Sequence, residues 1–296
     1  MKRITSWLPT QVNAFVRTMT WVTLVVQILI VVTGGAVRLT ASGLGCPDWP
    51  TCDGSSVVVT PEMGIHGIIE FANRLLTFLL VVVAVVAFLS VVRMRKARRD
   101  LFWLSIAIGL GIPAQAVIGG ISVWMKLNPY IVGLHFVISI ALVVLSTLFV
   151  LRARANEPDA LIGVVPIFRR LAWVVAALQL ITILMGILTT GSGPHAGDAK
   201  APRNGLNSEL LQHLHSYPAY AALIVTLGLV VLTQVSHLRL VRNAAIGLLV
   251  VNVAQAIVGV TQSRIGLPPL LVGTHMLLAC LVAAATTVVV YRLRKP

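Results

Sequence analysis

Few side chains in this sequence can bind a metal, carry a proton or form a covalent bond, and those few are grouped. His66, Glu70 and Asn73 are spaced four and three apart, which at 3.6 residues per turn places them on one helical stripe, with Arg74 directly after. His135 and His275 each follow a helix-starting proline by six residues. Gln212 and His215 are three apart, whereas His213 lies about 200° around a helix from His215, so the two cannot face one core. Two histidines facing each other across a helical bundle form the axial geometry of a low-spin haem b, with neutral imidazole nitrogen on iron. Zinc fits less well, because it wants four compact ligands and neither pair offers a tetrahedral set.

Such groups need rigid elements around them. The chain of 296 residues is 57% hydrophobic and only 11% charged, with a mean hydropathy of +0.93, which excludes a soluble domain. Its apolar residues fall in blocks long enough to cross a bilayer as helix. Eight spans are predicted: 18–37, 64–92, 101–125, 127–151, 171–190, 210–234, 244–260 and 270–291. The runs are continuously apolar, which excludes the short alternating strands of a membrane barrel. Arg38 follows the first span without a small-residue cleavage pattern, so that span is expected to stay as a helix rather than to be removed as a signal.

The net charge of +14 invites a nucleic-acid reading, but the basic residues sit between apolar blocks and are better explained by topology. The termini and even-numbered loops hold 17 of 23, including Lys2, Arg3, the cluster from Arg93 to Arg99, Arg152, Arg154, Arg169, Arg170, Arg239, Arg242, Arg294 and Lys295. Lysine and arginine accumulate on the cytoplasmic side. Both termini are therefore expected in the cytoplasm of a multi-pass plasma-membrane protein, with the loops 38–63 and 191–209, and the histidines near them, toward the outside.

The sequence repeats itself. Arg17, Trp21, Gln27 and Gly34 recur as Arg169, Trp173, Gln179 and Gly186 at an offset of 152. Ala114, Gln115, Ala116, Gly119, Leu127, Pro129, Gly133 and His135 recur as Ala254, Gln255, Ala256, Gly259, Leu267, Pro269, Gly273 and His275 at an offset of 140. Four spans per repeat is even, so the halves share one orientation and a pseudo-twofold along the membrane normal. Inverted repeats would need an odd number. The predicted architecture is all-α: two tandem four-helix bundles, residues 1–152 and 153–296, each able to hold a group in its core. Aligning the second and sixth spans pairs Glu70 with Gln212 and Asn73 with His215.

Blander readings compete. A lone histidine in a membrane span can be a helix-packing donor, but packing seldom needs the same titratable residue twice, as at His135 and His275. His213, four residues after Glu209, fits a helix-end ion pair as well as a ligand role. His195 and His237 read as solvated surface groups, the repeated Gln and Gly positions as helix packing, and Cys280 as inert core. Cys46 and Cys52 fall on the oxidising side, where a disulfide is expected, either as a structural staple or as a redox-active pair.

The Gly-Leu-x-Cys-Pro-Asp-Trp-Pro-x-Cys loop ending at Cys52, the Ile69-Glu70-Phe71-Ala72-Asn73-Arg74 stretch, the duplicated halves and the histidines of the fourth, sixth and eighth spans together resemble the haem A synthase family over nearly the whole chain. The resemblance implies an oxidoreductase that oxidises a ring methyl of haem O to a formyl group by successive hydroxylations, giving haem A for the terminal oxidase. It implies haem b on His215 and His275 in the second half, and haem O on His135 in the first. Glu70 would be the catalytic carboxylate, and Cys46 and Cys52 the loop disulfide. Partners implied are the haem O-producing farnesyltransferase and oxidase assembly factors, besides the lipid bilayer, with no nucleic acid. Arg38, Arg74 and Arg203 are candidates to neutralise haem propionates, since guanidinium forks suit carboxylates.

One position departs from the family. Many members carry histidine where this chain has Asn73, a poor iron ligand. Two arrangements then fit: His66, roughly 10 Å away along the same stripe, ligates a haem seated nearer the outer surface, or His135 holds the iron alone. The contrast between the halves keeps its sense, because a carboxyl at Glu70 can exchange protons with a reacting group and the amide at Gln212 can only hydrogen-bond. Two other functions also fit the histidines, a dihaem b-type electron-transfer cytochrome and a haem transporter or chaperone. The first leaves Glu70 and the cysteine loop unexplained, and the second needs an exit path.

Overall fold

The structure is a computed structural model that describes residues 8–154 and 166–293. Lys2, Arg3, Arg294 and Lys295, used above for orientation, lie outside the described residues. Among those described, the regular structure is helical and contains eight helices long and apolar enough to cross a membrane. They are α1 (Ala14–Leu39), α2 (Gly64–Val91), α3 (Arg99–Trp124), α4 (Pro129–Arg154), α5 (Pro166–Ser192), α6 (Ser208–Val235), α7 (Arg239–Arg264) and α8 (Pro269–Arg292). Large apolar side chains such as Val25, Phe78, Val82, Ile224 and Val250 are exposed along them. In water these would be a liability; against lipid they meet an apolar solvent.

Local chemistry sets the ends. Asn13 caps α1 by accepting the Val16 N–H at 3.0 Å, and Asn207 caps α6 by accepting the Leu210 N–H at 2.9 Å. Pro129 and Pro269 open α4 and α8, where a missing N–H costs nothing. The turns before them are built alike. Leu127 and Leu267 take φ of 61° and 58°, and their N–H groups donate to the Ser122 and Gln262 carbonyls at 2.7 and 2.8 Å. The repeat in sequence is thus a repeat in backbone geometry at these turns. The seventh span is longer than the predicted 244–260, because the helix runs on through polar residues at both ends, from Arg239 to Arg264.

In the first half α1 packs on α2 and α4, α2 on α3, and α3 on α4; in the second α5 packs on α6 and α8, α6 on α7, and α7 on α8. The two sets meet through α4 on α8, α1 on α8 and α4 on α5. Each set is tightly packed at the end carrying the basic loops. Val16, Val91, Leu101, Ile108 and Phe149 fill one, and Phe168, Val175, Leu229, Leu248 and Val289 fill the other. A third cluster, with Leu24, Val31, Ile140, Val143, Cys280 and Ala283, fills the seam. Cys280 is therefore buried core, as its position in the last span predicts. All the histidines but His237 stand toward the opposite ends of the helices, at or beneath the two long loops, which are joined by a bond from the Gly43 N–H to the Gly197 carbonyl at 2.8 Å.

Candidate functional site

The second half brings His215 of α6 and His275 of α8 together, with ring centroids 6.1 Å apart and planes at 68°. At metal–nitrogen distances of about 2 Å, two imidazoles on opposite sides of one ion have centroids roughly 6 Å apart. The spacing therefore suits an iron between them. His215 Nδ1 lies 2.8 Å from the Thr182 carbonyl. Donating there fixes the tautomer and leaves Nε2 free for a ligand role. His275 Nε2 is 3.3 Å from Gln255 Nε2, and its Nδ1 is buried with no hydrogen-bond partner. A buried polar nitrogen left unpaired in the protein calls for a bound group.

The repeated glycines are what let the rings sit where they do. A Cβ on Gly186 would come within 2.8 Å of the His215 ring, and one on Gly259 within 3.0 Å of the His275 ring. In the first half Gly119 faces His135 in the same way, at 3.4 Å. The sequence reading of these glycines as helix packing is incomplete: three of them are seats for imidazoles. The signal was present, since each glycine repeats at the same offset as its neighbours. Gly34, the copy of Gly186, has nothing within 4 Å of where a Cβ would be, and Gly133 and Gly273 face Ile187 and Leu39.

His135 sits on α4 with Nδ1 buried and unpaired, like His275. Gln115 donates to the His135 carbonyl at 3.0 Å and to Ser139 Oγ at 2.5 Å, so it fixes the helix backbone rather than the ring. On α2, Asn73 Oδ1 is also buried without a partner. His66 is exposed one end of the stripe away, its Nδ1 2.9 Å from Ser42 Oγ on the first outer loop. Among the described residues no group of three or more His, Cys, Asp or Glu side chains is placed to hold a metal ion.

Glu70 is only 6% exposed and is tied to the cysteine loop. Its Oε2 accepts the Cys46 N–H at 2.7 Å, and its Oε1 pairs with Arg74 Nη2 at 2.6 Å. Arg74 in turn donates to the carbonyls of Cys46, Asp48 and Thr51 at 3.1, 3.0 and 2.9 Å. One carboxylate and one guanidinium thus hold three loop carbonyls and one loop amide over the start of α2. Cys46 and Cys52 form the expected disulfide, with both residues fully buried. Trp49, preceding a cis Pro50, lies over Gly120 of α3 and receives the Trp124 indole N–H on its carbonyl at 3.0 Å. Farther out, Asp53 accepts the Ser55 and Ser56 N–H groups at 2.9 and 2.6 Å, which holds its carboxyl below the usual range.

The other two arginines also serve backbone carbonyls of the second outer loop and the end of α5. Arg38 donates to His195 at 2.5 Å and to Thr190 at 2.9 Å, and Arg203 to Ala201 and Pro194 at 2.7 and 2.8 Å. Both line a cleft between the end of α1 and the second outer loop, with His195 and Asp198. His195 is no free surface group: its Nε2 lies 2.8 Å from the Leu267 carbonyl, which ties the loop to the turn before α8. His237 is exposed, as expected. His213 is exposed and stacks on Tyr217 at 5.7 Å, turned away from the His215 site, and no ion pair joins it to Glu209 among the described residues. Gln212 is likewise exposed.

Over residues 17–205, well over half of the chain, the sequence matches the COX15-CtaA family, described as cytochrome oxidase assembly protein. Among curated proteins it is 32% identical over 146 residues to heme A synthase of Bacillus pumilus, covering 48% of this chain and 47% of that protein. It is 34% identical over 130 residues to heme A synthase of Listeria welshimeri, covering 43% and 41%. Heme A synthase of Geobacillus thermodenitrificans is 32% identical over 133 residues, covering 45% and 41%. These matches span about half the length of the relatives.

Proposed function

The chain belongs to the COX15-CtaA family of cytochrome oxidase assembly proteins, and from that premise we propose that it is a haem A synthase, a membrane oxidoreductase that oxidises a ring methyl of haem O to a formyl group by successive hydroxylations. The observation that carries the reading is the His215–His275 pair, at iron-spanning separation with each ring seated on a glycine. Residues 153–296 are the cofactor half, with haem b on that pair. Residues 1–152 are the substrate half, where His135 would ligate the iron of haem O. Supporting two tandem bundles about a pseudo-twofold are the matched helix contacts of the two halves and the turn built twice before α4 and α8. The basic loops at one end support cytoplasmic termini and outward-facing haem sites.

Bound haem b supplies one-electron redox capacity. The chain's own residues do the rest. Glu70 is the group within the substrate half that can take and return a proton, at Oε1 or Oε2. Arg74 and the Cys46 amide fix its position, so that it meets the reacting group already oriented. The disulfide loop, anchored by Trp49 against α3, keeps water from that end of the bundle. Arg38 and Arg203 frame a cationic cleft suited to carboxylates at the seam of the halves. The haem O-producing farnesyltransferase and oxidase assembly factors are the partners this role calls for.

An electron-transfer cytochrome would account for the histidines but not for Glu70, whose copy is Gln212, or for the loop of Cys46 and Cys52 that Glu70 and Arg74 hold. Expression with a haem O source, followed by chromatography and mass analysis of extracted haems, tests the proposal. Haem A or hydroxylated haem O is expected; stable haem binding with neither product would contradict it.

A further inference from the structure

Each half should bring two helices' worth of ligand to its core, and the glycine seats show where one ligand is missing. Three glycines face an imidazole from the neighbouring helix: Gly119 faces His135, Gly186 faces His215 and Gly259 faces His275. Gly34 is the copy of Gly186 at an offset of 152, and Asn73 is the copy of His215 at an offset of 142. The seat at Gly34 is open, since a Cβ there would meet nothing within 4 Å. The shorter asparagine leaves space where its copy in the other half has a ring. Its amide oxygen is buried and makes no hydrogen bond, an arrangement that costs free energy unless a further group is bound beside it. His135 Nδ1 is the other buried, unpaired polar atom of this set in the first half. His66 is exposed at the outer end of α2 and turned to Ser42 at 2.9 Å.

We infer that the first half holds its haem iron through His135 alone, and that the position of Asn73, where its copy has an imidazole, leaves a site for a small neutral ligand able to donate a hydrogen bond to the buried Asn73 amide oxygen. This rests on the reading that the first half receives haem O. The two halves then differ in kind. In the second, both axial positions are filled by imidazoles, which suits electron transfer. In the first, one position opposite histidine is kept open and polar, which suits binding of an exogenous molecule next to Glu70. Asn73 is on this view a positioning residue, three residues from Glu70 on the same helical stripe.

The test is carbon monoxide binding to the reduced full-length protein, purified with haem b and loaded with haem O. Wild type is expected to bind carbon monoxide at one of its two haems and to keep a low-spin, carbon monoxide-insensitive spectrum at the other. His66→Ala should behave the same. Asn73→His should lose carbon monoxide binding and gain a second low-spin signature, whereas Asn73→Ala should keep carbon monoxide binding. A wild type that retains both haems and binds no carbon monoxide, or an Asn73→His protein that binds it as wild type does, would overturn the inference. So would carbon monoxide binding that appears only in His66→Ala. A wild type that takes up a single haem overturns the inference together with the reading it rests on, and the haem count tells the two failures apart.

Discussion

At the scale of single residues, the side chains that matter are defined as much by what lies opposite them as by their own chemistry. The proposed role of His215 as an iron ligand depends on Thr182, which takes one ring nitrogen, and on Gly186, which gives the ring room. A methyl at position 186 would meet the ring at 2.8 Å, and overpacking of this kind costs about 1–3 kcal/mol. Gly186→Ala is therefore expected to weaken haem b retention about tenfold, by analogy with other losses of ligand support, and to erode the low-spin spectrum. Gly247→Ala, on an exposed face with nothing within 4 Å, should leave both unchanged. Equal haem retention in the two variants would refute the seat. The histidines, Glu70 and the two loop cysteines could be read from sequence because ionisable groups are scarce in apolar spans. The seats were marked only by the repeat of each glycine at its neighbours' offset, which carries no sign of the ring the glycine faces.

At the scale of elements, the helices were legible and their tertiary ties were not. A bilayer demands long apolar runs, so each span could be recognised from hydropathy alone, with errors at polar ends such as Arg239 and Arg264 where the helix outlasts the apolar signal. The hold of Glu70 and Arg74 on the cysteine loop crosses more than twenty residues, and that of Arg38 on the second loop crosses 157; neither leaves a periodic trace. The three candidate propionate arginines are all engaged with loop carbonyls, so they shape the rim before any ligand arrives. Removing one partner of a buried pair costs on the order of 3 kcal/mol. Arg74→Gln should accordingly raise amide hydrogen exchange across residues 45–52 while the disulfide persists. Unchanged exchange there would mean that the disulfide and Trp49 hold the loop without Arg74.

At the scale of the whole molecule, the eight helices pack as two sets that meet along a seam, each tightly filled at the basic end and furnished with polar groups at the other, and the proposed function gives the two sets different tasks in one membrane orientation. Single cysteines placed at residue 97 and at residue 199, in a Cys46→Ser, Cys52→Ser, Cys280→Ser background, should be labelled by an impermeant thiol reagent from opposite sides of the membrane, with 199 reached from outside. Labelling of both from one side would break the proposed orientation. The central claim is that this chain converts haem O to haem A through Glu70 in the half that does not hold haem b. It is tested most directly by measuring product and bound haem b together in purified Glu70→Gln. Haem A and its hydroxylated precursors are expected to fall at least about a hundredfold while low-spin haem b on His215 and His275 stays at the wild-type level. Haem A formed at the wild-type rate by Glu70→Gln would contradict it.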